Sequence, residues 1–513
     1  MITTPVTNIS IMITTLLLAL CFGAALFYWR TTPVSNPRGL PLPPGPKPDP
    51  IIGNARHIPL EESWVTFARW KDTYGDIIHL NAMGQRIIVL NSFKVISDLV
   101  GQRSIYADRP YFYIISELMG LGKIVGLLPY GDTWKRHRKL LHSVLGKNVI
   151  TQHRSVQQRH ARWYLQTLLE KPEDFIQSLR LLAGKSVIRV AYGIDVHSAK
   201  DTCIILAEEA IDRCIKAMDP HYALLNALPI LKYTPSWLPG FGIKGVALRQ
   251  RPMSNKMVDL PFEDVKNRLA SGMAIPSLVS AALQEEGCLE EDIKWASGSM
   301  YTAGADTIYA ALCSFFLAMT TNPGVREKAQ AEIDRAVGGN RLPRLEDRTK
   351  MPYLECVLKE ILRWGTIAPF SVPRRLLEDD YYDGYWIPRG STVLPNLWAI
   401  AHDKTIYKEP ERFWPERFEG EAGKDVLDPT LYSYGFGRRI CPGLHFADSM
   451  LFITMASILA TYDITKPRNE DGQEIDPVIS YHSGLLYHLN PFECTIKPRS
   501  PTAQALIEAE VAC

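Results

Sequence analysis

The stretch from Leu289 to Thr320 is mainly apolar, contains no proline, and stops at Asn322-Pro323-Gly324, a strong helix breaker. A helix of about 30 residues crosses a whole domain, so the rest of the chain has to pack around it. Of the 513 residues, 46% are hydrophobic and 22% charged, the composition of a folded protein. Length allows about three domains or one large one. Fifty-seven basic against 55 acidic residues give a net charge of +2, which is no electrostatic footprint for nucleic acid. The nine cysteines are scattered singly, without CxxC spacing, so neither a disulfide framework nor a structural zinc site is expected, and the folded part belongs in a reducing compartment.

Ile9 to Trp29 carries no charged side chain and spans roughly 31 Å as a helix, about the thickness of a bilayer's hydrocarbon core. It reads as a single membrane-spanning helix. A cleaved signal peptide is the rival reading, disfavoured because no basic region precedes the run and the run is long. Arg30, Arg38 and Lys47 follow the span, which places the remaining chain in the cytosol. Residues 1–30 are therefore expected to be a membrane anchor, and residues 31–50, with the proline-rich run Pro41 to Pro48, a stiff spacer. Residues 51–513 form the body. Asp76 to Leu90 reads as a hairpin turning at Gly84, and short strand-like runs recur at Tyr381 to Tyr385, Ser391 to Leu394 and Ile479 to Ile496. The expected fold is mainly α with minor β.

The chemistry is concentrated in Tyr434-Gly435-Phe436-Gly437-Arg438-Arg439-Ile440-Cys441-Pro442-Gly443, which immediately precedes an apolar helical run, Leu444 to Leu459. Glycines allow close backbone approach, and a lone thiolate needs backbone N–H donors and the positive end of a helix. This is an environment for an axial haem ligand; the plainer alternative is a loop with a buried structural cysteine.

In this motif the chain resembles the cytochrome P-450 family, the haem-thiolate monooxygenases, from the proline hinge onward. Further motifs recur in the expected order. The resemblance implies that Glu360 and Arg363, three residues apart on a helix, form a buried ion triad with Arg417, although a lone ExxR is usually a solvated helix face. It implies that Trp134 and Arg138 hold a haem propionate, joined by Arg439 and Arg374, and that Tyr434, Gly437, Cys441 and Gly443 surround the haem, with Cys441 as iron ligand. Lys135, Arg136 and Lys139 read as a solvated basic face or a docking patch for an acidic redox partner. Ala303-Gly304-Ala305-Asp306-Thr307 resembles the oxygen-activation signature, with Gly304 removing bulk over the haem and Asp306 and Thr307 relaying protons. Threonine back-bonding to its own helix is the alternative for Thr307. Tyr434 replaces the usual phenylalanine, and Ile308 a frequent threonine or serine. Gly240 to Gly245 matches GxGxxG but follows no strand, so it is read as an apolar loop that dips into the membrane. His445 is read as a packed histidine on its helix rather than a rival ligand, and His402-Asp403 as a loop contact rather than a catalytic pair.

The resemblance further implies haem b, dioxygen, and NADPH through a separate NADPH–cytochrome P-450 reductase, with cytochrome b5 as a second donor. It implies a hydrophobic small-molecule substrate, contact with membrane lipid, no nucleic acid, and a single-pass location in the endoplasmic reticulum membrane. Pro50-Ile51-Ile52-Gly53-Asn54 and the cysteine loop are similar to those of fungal enzymes of natural-product biosynthesis. The candidate substrate walls are residues 111–121, 221–228, 299–302, 368–372 and 483–485. A haem-thiolate isomerase or dehydratase, and a non-catalytic haem or lipid binder, are the competing functions.

Overall fold

A computed structural model describes residues 23, 36–217, 232–236, 242–482, 484 and 486–509. The span from Ile9 to Trp29 apart from Gly23, the wall at 221–228, Ser483, Leu485 and most of the loop from Trp237 to Ile243 lie outside the described residues.

The main helices in chain order are α1 (Ser63–Tyr74), α2 (Asp132–Leu145), α3 (Arg154–Glu170), α4 (Phe175–Tyr192), α5 (Thr202–Ala217), α6 (Gly242–Ala270), α7 (Glu290–Thr321), α8 (Pro323–Val337), α9 (Pro352–Trp364), α10 (Leu444–Thr461) and α11 (Pro501–Ala509). The expected central helix is α7. It opens with Glu290, Glu291 and Asp292 at its positive end, and Pro323, which cannot continue it, begins α8. It is apolar on nearly every face because α4, α2, α6 and α10 pack around it. Gly298 lets α6 approach closely, since a Cβ there would strike the Val258 side chain. By length and composition α7 and α10 are the described helices that could cross a membrane, but 72% and 67% of their apolar windows are buried, as in core helices.

Strands β1 (Ile77–Ala82), β2 (Gln85–Leu90), β3 (Arg374–Arg375) and β6 (Thr392–Pro395) form one sheet in the order β1-β2-β6-β3. β2 and β6 run parallel; the other two pairings are antiparallel. β1 and β2 turn at Met83-Gly84, both at positive φ, the two-residue geometry that matches sheet twist. Asp383-Gly384 repeats that turn between β4 (Asp380–Tyr382) and β5 (Tyr385–Ile387), so the run read as one strand from Tyr381 to Tyr385 is a hairpin. β7 (Tyr462–Thr465) pairs with β10 (Thr495–Pro498), and β8 (Tyr481–His482) with β9 (His488–Leu489).

The proline run is not a free spacer. Its carbonyls remain available although proline lacks an N–H: Pro44 accepts from His79 N at 2.9 Å, Pro41 from Trp386 N at 2.8 Å, and Pro46 from Asn54 Nδ2 at 2.8 Å. A Cβ on Gly45 would run into the His79 carbonyl, so the strap lies tight against β1.

Candidate active site

The cysteine loop is shaped by Gly437. Its φ is +57°, and a Cβ there would come within 2.6 Å of the Val100 and Gly101 carbonyl oxygens, so glycine is required by the protein's own backbone. The chain then makes one tight turn, Gly437–Arg439, and Cys441 N donates to Tyr434 O at 2.8 Å. Gly443 abuts the N-terminus of α10. Cys441 is half-buried. Desolvation raises its thiol, while the Gly443 N–H and the Arg138 charge pull it back toward thiolate.

Helix α2 supplies the next groups. Trp134 and Arg138 lie one turn apart on one face. Arg138 donates to Ile440 O at 2.5 Å, beside Cys441. Trp134 Nε1 is buried with no hydrogen-bond partner among the described residues. The Arg439 guanidinium sits 4.5 Å from the centre of the Trp134 ring and donates to the carbonyls of Ala107 (2.7 Å), Leu128 (2.8 Å) and Val125 (3.3 Å). Arg374 opens β3, is 2% exposed, donates to Phe436 O at 3.1 Å, and leaves its Nε without a partner among the described residues.

A third buried arginine was not evident from sequence. Arg109 donates to Gly126 O (2.8 Å), Val372 O (2.6 Å) and Pro373 O (2.9 Å), fixing the segment that delivers Arg374. Burial, then mutual repulsion, depresses Arg109 well below the usual arginine range and brings Arg374 down to about 9. Burial brings Arg439 to about 10, with Arg138 adding repulsion. The carboxylate acting on this group, Asp108, is already held by Arg375 Nε at 2.7 Å and Tyr130 N at 2.8 Å. A cationic site with orphaned N–H donors beside a half-buried cysteine fits a flat cofactor carrying two carboxylates and a metal that takes thiolate, which is haem.

Helix α7 bounds the other side. Between Trp295 and Thr320 every residue is buried or half-buried except Ala303. Ser299, Ala303 and Thr307 share a face by i, i+4 spacing. Ser299 Oγ accepts from Val125 N at 2.9 Å, and Val125 O receives Arg439, so this face looks toward the arginine and cysteine group. Thr307 Oγ1 donates to Ala303 O at 2.9 Å, the local back-bond anticipated as an alternative. Gly304 does not open space on that face: a Cβ there would meet Val187 of α4 at 3.0 Å, so the glycine serves helix packing. Ile308 is 2% exposed in the core, where an added hydroxyl would need a partner. Asp306, 7% exposed, lies 3.1 Å from His488 Nε2, a contact with no motif in the sequence.

Behind the loop, Glu360 binds Arg363 twice (2.7 and 2.9 Å) and Arg417 at 3.2 Å, and accepts from Trp414 N at 2.8 Å. The remaining guanidinium N–H groups reach the carbonyls of Ala401, Lys408, Glu409 and Arg412. Arg136 departs from the solvated-face reading: it and His137 both bind Asp292, tying α2 to α7. Lys135 and Lys139 keep exposed pairs with Asp132 and Glu285. His402 stacks on Trp398 with ring centres 4.0 Å apart, Asp403 pairs with Lys71 at 2.7 Å, and His445 is half-buried on α10. The Tyr434 hydroxyl is buried without a partner, and burial raises its pKa.

Residues 43–490 match the family model for cytochrome P-450. The chain belongs to the cytochrome P-450 family. It is similar to cytochrome P-450 monooxygenase claR of Ampulloclitocybe clavipes, 41% identical over 473 residues covering 91% of this chain and 88% of the relative. Cytochrome P-450 monooxygenase 176 of Postia placenta is 39% identical over 477 residues, covering 91% and 92%, and a Coprinopsis cinerea cytochrome P-450 monooxygenase is 36% identical over 488, covering 92% and 94%. This protein is thus a cytochrome P-450 monooxygenase, an enzyme that uses haem and dioxygen with a redox partner.

Proposed function

We propose that this P-450 oxidises a hydrophobic small molecule of fungal secondary metabolism, of terpenoid, polyketide or aromatic type, with haem b bound by Cys441 and electrons from NADPH through a separate reductase, aided by cytochrome b5. The observation that carries the reading is the cluster of under-satisfied arginine and tryptophan donors beside half-buried Cys441. Trp134, Arg138, Arg374 and Arg439 hold the propionates, while Gly437 and Gly443 shape the loop that presents the thiolate. When bound, haem supplies the iron at which dioxygen is activated, and the thiolate pushes electron density toward it. The exposed face at Ala303 leaves room on the reacting side, Thr307 offers a hydroxyl there, and Asp306 supplies the acid. The segments 111–121, 299–302 and 368–372 form substrate walls. An anchor at residues 1–30 holds the enzyme in the endoplasmic reticulum membrane with its body in the cytosol; the uncharged run from Ile9 to Trp29 supports this.

Cys441→His tests the ligand. The ferrous–CO complex should lose the red-shifted band of thiolate-ligated haem, and retention of that band would assign the ligand to another cysteine. Wild type reconstituted with a reductase should consume oxygen only when NADPH is present; turnover without NADPH would turn the reading toward an isomerase.

A further inference from the structure

Asp306 stands at the back of the reacting face. Its side chain is 7% exposed, so it has little contact with bulk water. The Thr307 hydroxyl spends its own hydrogen on Ala303 O, so it too must be resupplied. The acid therefore needs a carrier that touches it, titrates, and reaches solvent.

The groups around Asp306 come from four elements. On α7 itself stand Tyr309 and Cys313; α4 contributes Arg180, whose guanidinium lies 4.3 Å from the centre of the Tyr309 ring. Helix α5 contributes Glu208, 4.0 Å from Arg180 and pushed up by desolvation. The β8–β9 hairpin contributes His488, whose cross-strand neighbour is exposed His482. Arg180 keeps its proton throughout the working range. Burial pushes the Tyr309 hydroxyl above its usual range and the Cys313 thiol up to about 12. Glu208 interacts with Asp306 through charge alone, with no hydrogen bond between the two among the described residues. His488 alone among the described residues is hydrogen-bonded to Asp306, at 3.1 Å, and its side chain is 15% exposed.

We propose that His488 is the positioning and proton-loading partner of Asp306, linking the acid to solvent through the β8–β9 hairpin. The inference rests on the reading of Asp306 as the acid of this site. The imidazolium N–H passes its proton to the Asp306 carboxylate, the N–H bond breaking as the O–H bond forms. That leaves the neutral Nδ1–H ring, and its vacated Nε2 regains a proton from hydronium when the ring turns toward water, an N–H bond forming as an O–H bond of hydronium breaks, with no electrons moving. The hairpin holds the ring in place: Tyr487 N donates to Ile367 O and Asn490 N to Ser480 O, both at 2.9 Å, and the Tyr481 and Tyr487 rings stack with centres 4.1 Å apart.

The test measures product formed per NADPH consumed in wild type, His488→Gln, His488→Asn and Asp306→Asn, across pH, in the reductase-reconstituted holoenzyme. Wild-type coupling should fall in one step as pH rises. Both His488 variants should be low and without that step, by about tenfold or more, with peroxide accumulating. Independently of turnover, the ¹⁵N-histidine spectrum of the diamagnetic ferrous–CO form should show one ring signal that is lost in His488→Gln and displaced in Asp306→Asn. Full coupling in both His488 variants while Asp306→Asn is uncoupled would overturn the inference alone. Full coupling in Asp306→Asn would overturn the reading of the acid. Low coupling in the His488 variants with the pH step retained would make His488 a packing residue.

Discussion

Two buried arginine clusters lie within this molecule, and they are built on opposite principles. Around Glu360, two guanidinium groups meet one carboxylate and a set of backbone carbonyls, and the donors are taken up inside the protein. Around Arg374, three guanidinium groups, those of Arg109, Arg374 and Arg439, repel one another, and donors are left over. The first cluster is complete as a piece of structure. The second is left with positive charge and spare donors, which suits it to anionic groups such as the propionates assigned to it under the proposed function. Burial of charge is common to both; the presence or absence of an internal counter-ion separates architecture from cofactor recognition.

The comparison is broken most severely at Glu360. Glu360→Gln keeps the shape but strands two buried guanidinium groups, and denaturant unfolding should show a loss of about 3–5 kcal/mol. A loss under 1 kcal/mol would mean that the backbone carbonyls alone hold the arginines. Arg374→Met should behave in the opposite sense: the haem-free chain loses less than about 1 kcal/mol, because a like charge and an unpaired donor disappear with the bond to Phe436. Haem retention against a scavenging apoprotein should nevertheless fall about tenfold or more. Equal losses in stability and retention would place Arg374 with the structural cluster. The smallest effect is expected at Tyr434→Phe. Removing an unpartnered buried hydroxyl should stabilise the protein by about 1 kcal/mol with the ferrous–CO band intact. Destabilisation would reveal a partner for that hydroxyl in the holoenzyme.

What the sequence made legible was whatever is local. Cys441 and its glycines lie within ten residues and read together as one loop, whereas Glu360 and Arg363, one helical turn apart, were marked as a buried pair by the resemblance to the family and not by spacing. Arg417 needed only the order of motifs. Arg109 and His488 were illegible because nothing near them in the chain is patterned: Arg109 acts through carbonyls of residues 126, 372 and 373, and His488 meets a residue 182 positions away. Gly304 shows a different limit. Its motif was read, but which way a helical residue faces depends on what packs against the helix, and Val187 decides that here.

The docked proline strap has a mechanical consequence. Three hydrogen bonds join it to β1, β5 and the turn at Asn54. Tension applied ahead of Leu40 is therefore shared among them and enters the sheet whose far edge, β3, begins with Arg374. A tether ahead of residue 36 would therefore act less like a leash than like a bracket, because the strap passes its pull directly to the sheet that carries Arg374.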